Sequence, residues 1–219
     1  LVGEGRSTAT LNLMGGQEAL LDAVIATGKP VVIVLLASKP LVLPPSAEKA
    51  AAIVWAANPG MKGGQALAEL LFGEIEPVGR LPITFARHVG QQPTYYAQIR
   101  GQHGDRYADL TQDPAWAFGE GRSYTTVEYS DLVLDATELG VDDTVVGRVT
   151  LTNTGARPAR ETVQAYVRDE VTSASWADRE LKAFTHAWVQ PGESVEVEVR
   201  VPVSACTIVD ARANRIVEP

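Results

Sequence analysis

A single carboxylate near the start of the chain stands in an unusual local setting. Glu4 lies between Gly3 and Gly5 in the stretch LVGEGRSTATLNL, ahead of several short hydroxyl side chains. A carboxyl group donates a proton near neutral pH only where desolvation or a neighbouring negative charge raises its pKa. Flanking glycines let the backbone bend close to a second domain, and docking of that domain would exclude water. The alternative interpretation is an ordinary exposed loop carboxylate, which is the usual state of Glu.

Other polar side chains are weaker candidates. Glu120 in FGEGRSY is interpreted as a loop or interface carboxylate, and Asp105 beside Arg106 either forms an ion pair or lines the mouth of a site. The single cysteine, Cys206, excludes an intrachain disulfide and is expected to be a small, at least half-buried apolar residue. No metal and no cofactor are expected, because there is no HExxH motif and the three histidines are far apart in sequence: His88, His103 and His186.

The overall composition limits the class of protein. The chain has 219 residues, a formal net charge of -8 and 45% hydrophobic residues. With no cluster of lysine and arginine, this acidic balance argues against nucleic acid or an anionic membrane as partner. No run approaches the roughly 20 apolar residues that cross a bilayer. The chain starts at Leu1 without Met, so we expect it to begin inside a longer protein, and its localisation is left undefined.

The first part of the chain alternates helix and strand. Two stretches have apolar residues at helical spacing, QEALLDAVIATGKP and GGQALAELLFG, with Gly28 and Gly73 as their ends. Continuous apolar runs, VVIVLLA and AIVWAA, are typical of strands covered on both faces, while LVLPP predicts a short strand and SAEKAA a short helix. Such alternation indicates an α/β sandwich, with a mostly parallel sheet flanked by helices.

The pattern changes twice after Phe85. A long irregular stretch rich in Gly, Gln and Pro follows, and connections this long tend to be functional. From Thr126 onward three stretches alternate apolar and polar residues, separated by the turn signals NTG and PGE: TVVGRVTLTNTG, ETVQAYVRDEV and SVEVEVRVPV. We therefore expect an α/β domain over 1–100, an irregular connection over 101–125 and an all-β sandwich over 126–219.

Four blocks in one order resemble the C-terminal half of glycoside hydrolase family 3, the β-glucosidase and β-xylosidase family. They begin LMGGQEALLDAV, AIVWAANPGMKGG, AFGEGRSYTTVE and VTLTNTGARPAR, and together they cover nearly the whole chain. The most specific matches are PG, GG, LFG, GRLP and QQPTYY, at the spacings of the family. The resemblance implies an α/β sandwich domain followed by a fibronectin type III-like sandwich. It also implies an N-terminal barrel that precedes Leu1.

The resemblance assigns a role to Glu4. In the family, the nucleophilic Asp lies on the barrel and the general acid/base Glu comes from the α/β sandwich domain, at a position that matches Glu4. The implied reaction is retaining, exo-acting hydrolysis of terminal β-D-glucosyl or β-D-xylosyl residues, with a β-linked oligosaccharide or glycoside as substrate. The implied partner is the barrel of the same protein, a homo-oligomer is left open, and this fragment alone is not expected to be active.

A second interpretation belongs to another class of function. The chain is then a non-catalytic carbohydrate-binding or scaffolding fragment, whose sandwich supports a partner. Trp55 is expected to pack rather than stack on a sugar, whereas Trp116 and Tyr124 either bind sugar rings or pack. No exposed row of aromatic residues is expected on the sandwich strands, which favours a bracing role for this domain.

Overall fold

The computed structural model describes residues 7–99, 101, 104, 105 and 107–218. The chain divides into two compact units that are discontinuous in sequence. The first, called here the α/β unit, comprises Leu1–Ile75, Pro82–Tyr96 and Gly104–Phe118. The second, called the sandwich unit, comprises Glu76–Leu81, Ala97–His103 and Gly119–Pro219.

The α/β unit contains two helices and a parallel pair of strands. Helix α1 spans Gln17–Ile25, strand β1 spans Val32–Leu35, strand β2 spans Ala52–Trp55 and helix α2 spans Gly63–Leu71. The two strands pair in parallel, from Val32 opposite Ala52 to Leu35 opposite Trp55. Both strands are continuous apolar runs, and each is linked to its neighbour through irregular or helical chain, as parallel pairing requires. This arrangement confirms the predicted α/β class.

Two local predictions for the α/β unit were wrong in detail. LVLPP forms no strand, only a single parallel bridge between Asn12 and Val42, and the helix predicted at SAEKAA is a 3₁₀ helix over Pro45–Lys49. The prolines explain both results, because they remove backbone donors from a ladder and favour the first turn of a helix.

The prediction that the strands are covered on both faces was wrong at the start of β1, whereas Leu35 at its end is buried. Val32 in β1 is 47% exposed, and Leu36 immediately after β1 is 59% exposed. On the helices, Leu20 of α1 is 65% exposed and Phe72 at the end of α2 is 85% exposed. An apolar run indicates what a strand would bury, whereas actual burial needs further layers. The described strands and helices leave these faces open.

The sandwich unit is antiparallel. Its strands are β3 (Val127–Leu134), β4 (Thr144–Asn153), β5 (Ala159–Val167), β6 (Glu180–Val189) and β7 (Ser194–Pro202), followed by the short pair β8 (Ile208–Val209) and β9 (Arg215–Ile216). One sheet has the order β3-β4-β7, and β5 pairs with β6 in another. The three alternating stretches of the sequence are β4, β5 and β7, as predicted. The all-β class of this part is confirmed.

The two sheets close over a common apolar core. Five buried residues form its centre, with Leu151 and Val189 fully buried: Val149, Leu151, Val163, Val189 and Val197. Asn153, also fully buried, satisfies its polar atoms locally: Nδ2 donates to Arg157 O (2.7 Å) and Val189 O (2.9 Å). Its Oδ1 accepts from Thr125 Oγ1 (2.9 Å). The amide therefore ties the end of β4 to the turn that follows and to β6 without leaving buried polar groups unpaired.

Irregular chain from outside the strands lies against β5 within the sandwich unit. Thr162 Oγ1 donates to Val78 O (3.1 Å), and Gln164 Nε2 donates to Gly119 O (3.0 Å). These two pieces of chain also pair with each other, since Leu81 N donates to Glu120 O (2.8 Å) and Gly119 N donates to Leu81 O (2.7 Å). Val78 and Gly119, which lie before and after the irregular stretch, are therefore both attached to strand β5.

A buried ion pair fixes the first of these pieces. Arg80 Nη2 lies 3.1 Å from both carboxylate oxygens of Glu161 on β5, and Tyr129 Oη on β3 donates to Glu161 Oε1 (2.8 Å). Both charged side chains are largely buried. Burial, together with the hydrogen bond to Glu161, raises the pKa of Tyr129 well above its ordinary value.

Candidate functional site

The candidate site lies at the carboxyl end of the parallel strands in the α/β unit. In open α/β sheets, ligands bind in the crevice outside the carboxyl ends of the strands. Here β1 runs into the loop 36–40 and β2 runs into the loop 56–60. Trp55 at the end of β2 joins these loops, because its indole Nε1 donates to Ala37 O at 2.7 Å. Backbone in the left-handed region at Ala57 (φ 47°) and Gly60 (φ 70°) turns the second loop sharply.

The N-terminal segment is attached to the same edge of the sheet. Lys39, in the loop after β1, donates from Nζ to Thr8 O (2.5 Å), Thr8 Oγ1 (2.8 Å) and Thr10 O (2.9 Å). The segment then continues alongside the chain after Lys39, where Val42 N donates to Leu11 O at 2.9 Å. Residues 8–12 are therefore fixed against the carboxyl end of β1 by an ammonium group and a parallel bridge.

An aromatic cluster supports the end of β2 from within the α/β unit. The ring of Phe85 packs edge-to-face against Trp55 (centroids 5.2 Å apart) and against Trp116 (5.8 Å). Phe85 is buried, and its backbone pairs with that of Trp116, with Phe85 N donating to Trp116 O at 2.9 Å. Trp55 and Trp116 both pack in this cluster, which agrees with the packing expected for Trp55.

Gln91, in the QQPTYY motif, holds the irregular segments of this unit together. Its Oε1 accepts from the backbone N of Arg87 (2.6 Å), while its Nε2 donates to Thr111 O (2.9 Å). The side chain is buried, and its hydrogen bonds are to backbone groups of the protein. It thereby joins the chain segment 82–96 to the segment 104–118 of the same unit. QQPTYY, one of the motifs shared with the family, therefore helps to order the irregular chain of the α/β unit.

The sequence candidates fall at several places. Glu4 lies outside the described residues, as do Arg106 and His103. Asp105 is exposed, and Glu120 accepts through its backbone oxygen from Leu81. Cys206 is half-buried, as expected, and this burial raises the pKa of its thiol.

Neither a metal centre nor a membrane span was found in the part of the chain that the structure describes. His88 Nδ1 accepts from Gly90 N, and His186 Nδ1 lies 3.1 Å from Thr162 Oγ1, so both imidazoles have local partners. Among the described residues there is no group of three or more His, Cys, Asp or Glu placed to hold a metal ion. None of the helices in those residues has the length and apolar character needed to cross a bilayer.

The expectation that the sandwich carries no exposed aromatic row was wrong. Phe184 and Trp188 on β6 are 62% and 61% exposed, with the exposed ring of His186 between them. Along β6 these residues alternate with the smaller Ala183, Thr185 and Ala187, of which Ala187 packs against the apolar core. The large aromatic side chains therefore face outward, the reverse of the usual pattern of an amphipathic strand.

Comparison with known proteins identifies the class. Residues 1–124 match the family model described as the glycosyl hydrolase family 3 C-terminal domain, and residues 161–219 match a fibronectin type III-like domain. The chain belongs to glycoside hydrolase family 3, and it represents the C-terminal portion found in β-glucosidases and β-xylosidases of that family.

Three relatives illustrate the similarity. A β-xylosidase of Formosa agariphila is 36% identical over 99% of this chain, and a periplasmic β-glucosidase of Salmonella typhimurium is 34% identical over 99%. The solved structure of a β-glucosidase involved in saponin metabolism from intestinal bacteria is 56% identical over 100% of this chain, with a TM-score of 0.92. The chain spans 30% of the length of the first two relatives and 32% of the third.

Sequence reasoning missed two features of these surfaces. The attachment through Lys39 was not predicted, although a lysine in the loop after a parallel strand lies where such folds place functional residues. The outward aromatic residues of β6 were also missed, although Phe184, His186 and Trp188 recur with the two-residue period of a strand.

Proposed function

We propose that this chain is the C-terminal part of a retaining, exo-acting β-glycosidase in which Glu4 is the general acid/base. The observation that carries the proposal is the family match over residues 1–124, combined with the attachment of residues 8–12 at the carboxyl end of β1. The nucleophilic Asp is then supplied by an N-terminal barrel of the same protein. We also propose the domain limits 1–100, 101–125 and 126–219.

In the proposed reaction, two carboxyl groups act on one glycosidic bond. The barrel Asp attacks the anomeric carbon while the protonated Glu4 donates its proton to the departing oxygen, which gives a covalent glycosyl-enzyme. The ionised Glu4 then removes a proton from water, and that water displaces the Asp with overall retention. Such acid/base assistance accelerates a reaction about 10²- to 10⁴-fold. Without the barrel the chain has no nucleophile, so the isolated fragment is inactive under this proposal.

The proposed substrate is a β-linked oligosaccharide or glycoside with a terminal glucose or xylose. Its support is the names of the relatives, which are β-glucosidases and β-xylosidases. The neutral charge of such sugars is compatible with a chain of net charge -8. The choice between the two sugars depends on the sugar contacts, which we assign to the barrel.

The test of Glu4 compares aryl β-glycosides with poor and good leaving groups in the full-length protein. For Glu4→Gln we expect about a 10²- to 10⁴-fold lower kcat/KM on the poor leaving group and a much smaller loss on a dinitrophenyl glycoside. Azide, which needs no general base, is expected to restore turnover of the activated substrate and to yield the β-glycosyl azide. Glu18→Gln, an exposed residue in the first turn of α1, is the matched control. Unchanged rates of Glu4→Gln on both substrates would remove Glu4 from the chemistry.

A second candidate function, carbohydrate binding without catalysis, is favoured by one observation. Phe184 and Trp188 expose their rings on one face of β6, and aromatic faces are suited to the apolar faces of sugar rings. Four residues along a strand separate them by about 13 Å, which fits an oligosaccharide better than one sugar.

The binding candidate is tested with the double variant Phe184→Ala, Trp188→Ala and soluble β-glucan or xylan oligosaccharides in calorimetry. Loss of binding at least about 10-fold supports it. Leu132→Ala, which removes an exposed apolar side chain from the other sheet, serves as control. Equal affinity in the double variant and the parent protein would rule out this surface as the binding site.

A further inference from the structure

We propose that Lys39 is a positioning residue for the acid/base: it fixes residues 8–12, which follow Glu4 closely in the chain, at the carboxyl end of the parallel strands. This inference rests on the proposed function of Glu4. It adds a residue that neither the family resemblance nor the sequence pattern had singled out.

The geometry around Lys39 differs from that of an ordinary surface lysine. A lysine ammonium has three donors and no acceptor, and Lys39 directs its donors at three oxygen atoms of two residues, Thr8 O, Thr8 Oγ1 and Thr10 O. These contacts join parts of the chain about thirty residues apart in sequence, and they are partly buried. An exposed lysine gains little from fixing its long side chain in one conformation. The converging contacts therefore indicate a built attachment.

The hydroxyl of Thr8 completes the attachment. It accepts from Lys39 Nζ at 2.8 Å and donates to Thr10 O at 3.0 Å, so the same carbonyl receives two donors. Thr10 Oγ1 in turn accepts from Asn12 N at 3.1 Å. The segment is thus folded into a compact turn around the ammonium, rather than touching it at one point.

The loop that carries Lys39 is also held in place. Lys39 lies in the loop after β1, where Ala37 is buried and its carbonyl accepts from the Trp55 indole. Trp55 itself packs against the buried ring of Phe85. The loop that carries Lys39 is therefore held by Trp55 at the end of β2, so residues 8–12 are attached to an ordered part of the α/β unit.

This attachment matters for proton transfer because Glu4 precedes Thr8 by only four residues. A general acid must lie within hydrogen-bonding reach of the oxygen it protonates, and a displacement of about 1 Å from productive geometry costs on the order of 10²-fold in rate. Glu4 is flanked by glycines, which do not restrict the backbone themselves. Under the proposal, Lys39 contributes to the restriction that a catalytic carboxyl needs by fixing the chain that begins at Thr8.

The choice of lysine follows from the shape of the site. A compact ammonium with three rotatable donors can reach three oxygens gathered on one side, whereas a guanidinium presents its donors in a planar fork. Lys39→Arg keeps the charge but changes this geometry, so it is expected to restore only part of the function. Lys39→Met keeps the apolar stem and removes every donor.

The experiment uses the full-length protein and the two aryl glycosides already described. For Lys39→Met we expect kcat/KM on the poor leaving group to fall about 10²-fold and on the dinitrophenyl glycoside several-fold less. Lys39→Arg should lie between Lys39→Met and the parent, and Thr8→Val, which removes one of the three acceptors, should lose about 10-fold or less. Lys49→Met, an exposed lysine at the end of the 3₁₀ helix, is the matched control.

A double variant separates positioning through Glu4 from a general loss of stability. If Lys39 acts through Glu4, adding Lys39→Met to Glu4→Gln causes little further loss on the poor leaving group, because the two residues act as a unit. Full multiplication of the two losses, or equal loss on both substrates, would overturn the proposal.

The two proposals fail in different ways. If Glu4→Gln depends on the leaving group but Lys39→Met behaves like Lys49→Met, only the role of Lys39 is refuted. If Glu4→Gln changes neither rate, the role of Glu4 is refuted and the positioning role is refuted with it. Hydrogen exchange then measures the attachment separately: amides of residues 8–12 should exchange at least 10-fold faster in Lys39→Met than in Lys49→Met, and equal exchange contradicts the attachment itself.

Discussion

Leu151 in the sandwich unit is fully buried, whereas Leu20 on α1 of the α/β unit leaves 65% of its surface exposed. The contrast extends to both units. The sandwich unit encloses a core contributed by both its sheets, while no residue of α1 is buried and Phe72, directly after α2, is 85% exposed. The sandwich unit therefore has a closed apolar core, whereas α1 of the α/β unit contributes no buried residue.

The comparison predicts that the same substitution has unequal effects in the two units. Leu151→Ala should lower the free energy of unfolding of the 219-residue chain by about 3–5 kcal/mol, because it leaves a cavity in a closed core. Leu20→Ala should lower it by less than about 1 kcal/mol, because little surface is lost from burial. Urea denaturation followed by fluorescence measures both. Similar losses for the two variants would refute the contrast.

The buried ion pair between Arg80 and Glu161 in the sandwich unit is the next test. Arg80→Met leaves Glu161 buried with Tyr129 as a remaining partner, and we expect a loss of about 2–3 kcal/mol in the free energy of unfolding. Arg87→Met, at a more exposed arginine of the α/β unit, should cost less than about 1 kcal/mol. If Arg80→Met were as stable as the parent, the ion pair would make no net contribution to the free energy of unfolding.

Alkaline pH sharpens the same comparison. The pKa of Tyr129 is raised in the folded protein, first by burial and then by its hydrogen bond to Glu161. The folded state therefore holds this proton where the unfolded state releases it, so stability is full below the unfolded pKa of about 10 and falls as pH rises beyond it. Denaturation midpoints between pH 8 and 11 should show this fall, and Tyr129→Phe should reduce it. An unchanged slope in Tyr129→Phe would assign the effect to other groups.

The smallest expected effect concerns the outward aromatic residues of β6. Because Phe184 and Trp188 are mostly exposed, replacing either with Ala should change the free energy of unfolding of the chain by within about 0.5 kcal/mol. Thermal denaturation of each variant beside Leu151→Ala provides the scale. A loss above about 2 kcal/mol would mean that these rings pack as core residues do.

Local periodicity predicted most of the architecture. Strands β4, β5 and β7 alternate apolar and polar residues, and both helices and both parallel strands of the α/β unit lie in the stretches that the sequence indicates. Strand β6 shows the limit of this reasoning. Its small residue Ala187 packs against the core, so a rule that places aromatic residues inside gives the wrong face. Spacing along one strand shows which residues share a face, but not which of the two faces packs against the other sheet.

The candidate site was less predictable for a similar reason. The sequence singled out Glu4 through its glycine neighbours and the family resemblance, and its role stays a prediction because the residue lies outside the described part of the chain. Helix α1 and strand β1 lie between Lys39 and its partners Thr8 and Thr10 in the sequence. No local pattern encodes a contact between residues so far apart in sequence. The fold has to bring them together before their chemistry is visible.

The backbone pairing of Leu81 with Gly119 and Glu120 closes the base of the long irregular stretch. Within the stretch, Asp178 N also donates to Gln98 O at 2.7 Å, so the sandwich unit holds this chain at its two ends and near its middle. The length of the chain between these contacts therefore does not enter the geometry of the strands that follow. A protease cut or a short insertion beyond that base should therefore leave strands β3 to β7 in register. A protein nicked there would still elute as one species until a denaturant opened the sandwich, because covalent continuity is not what holds the base together.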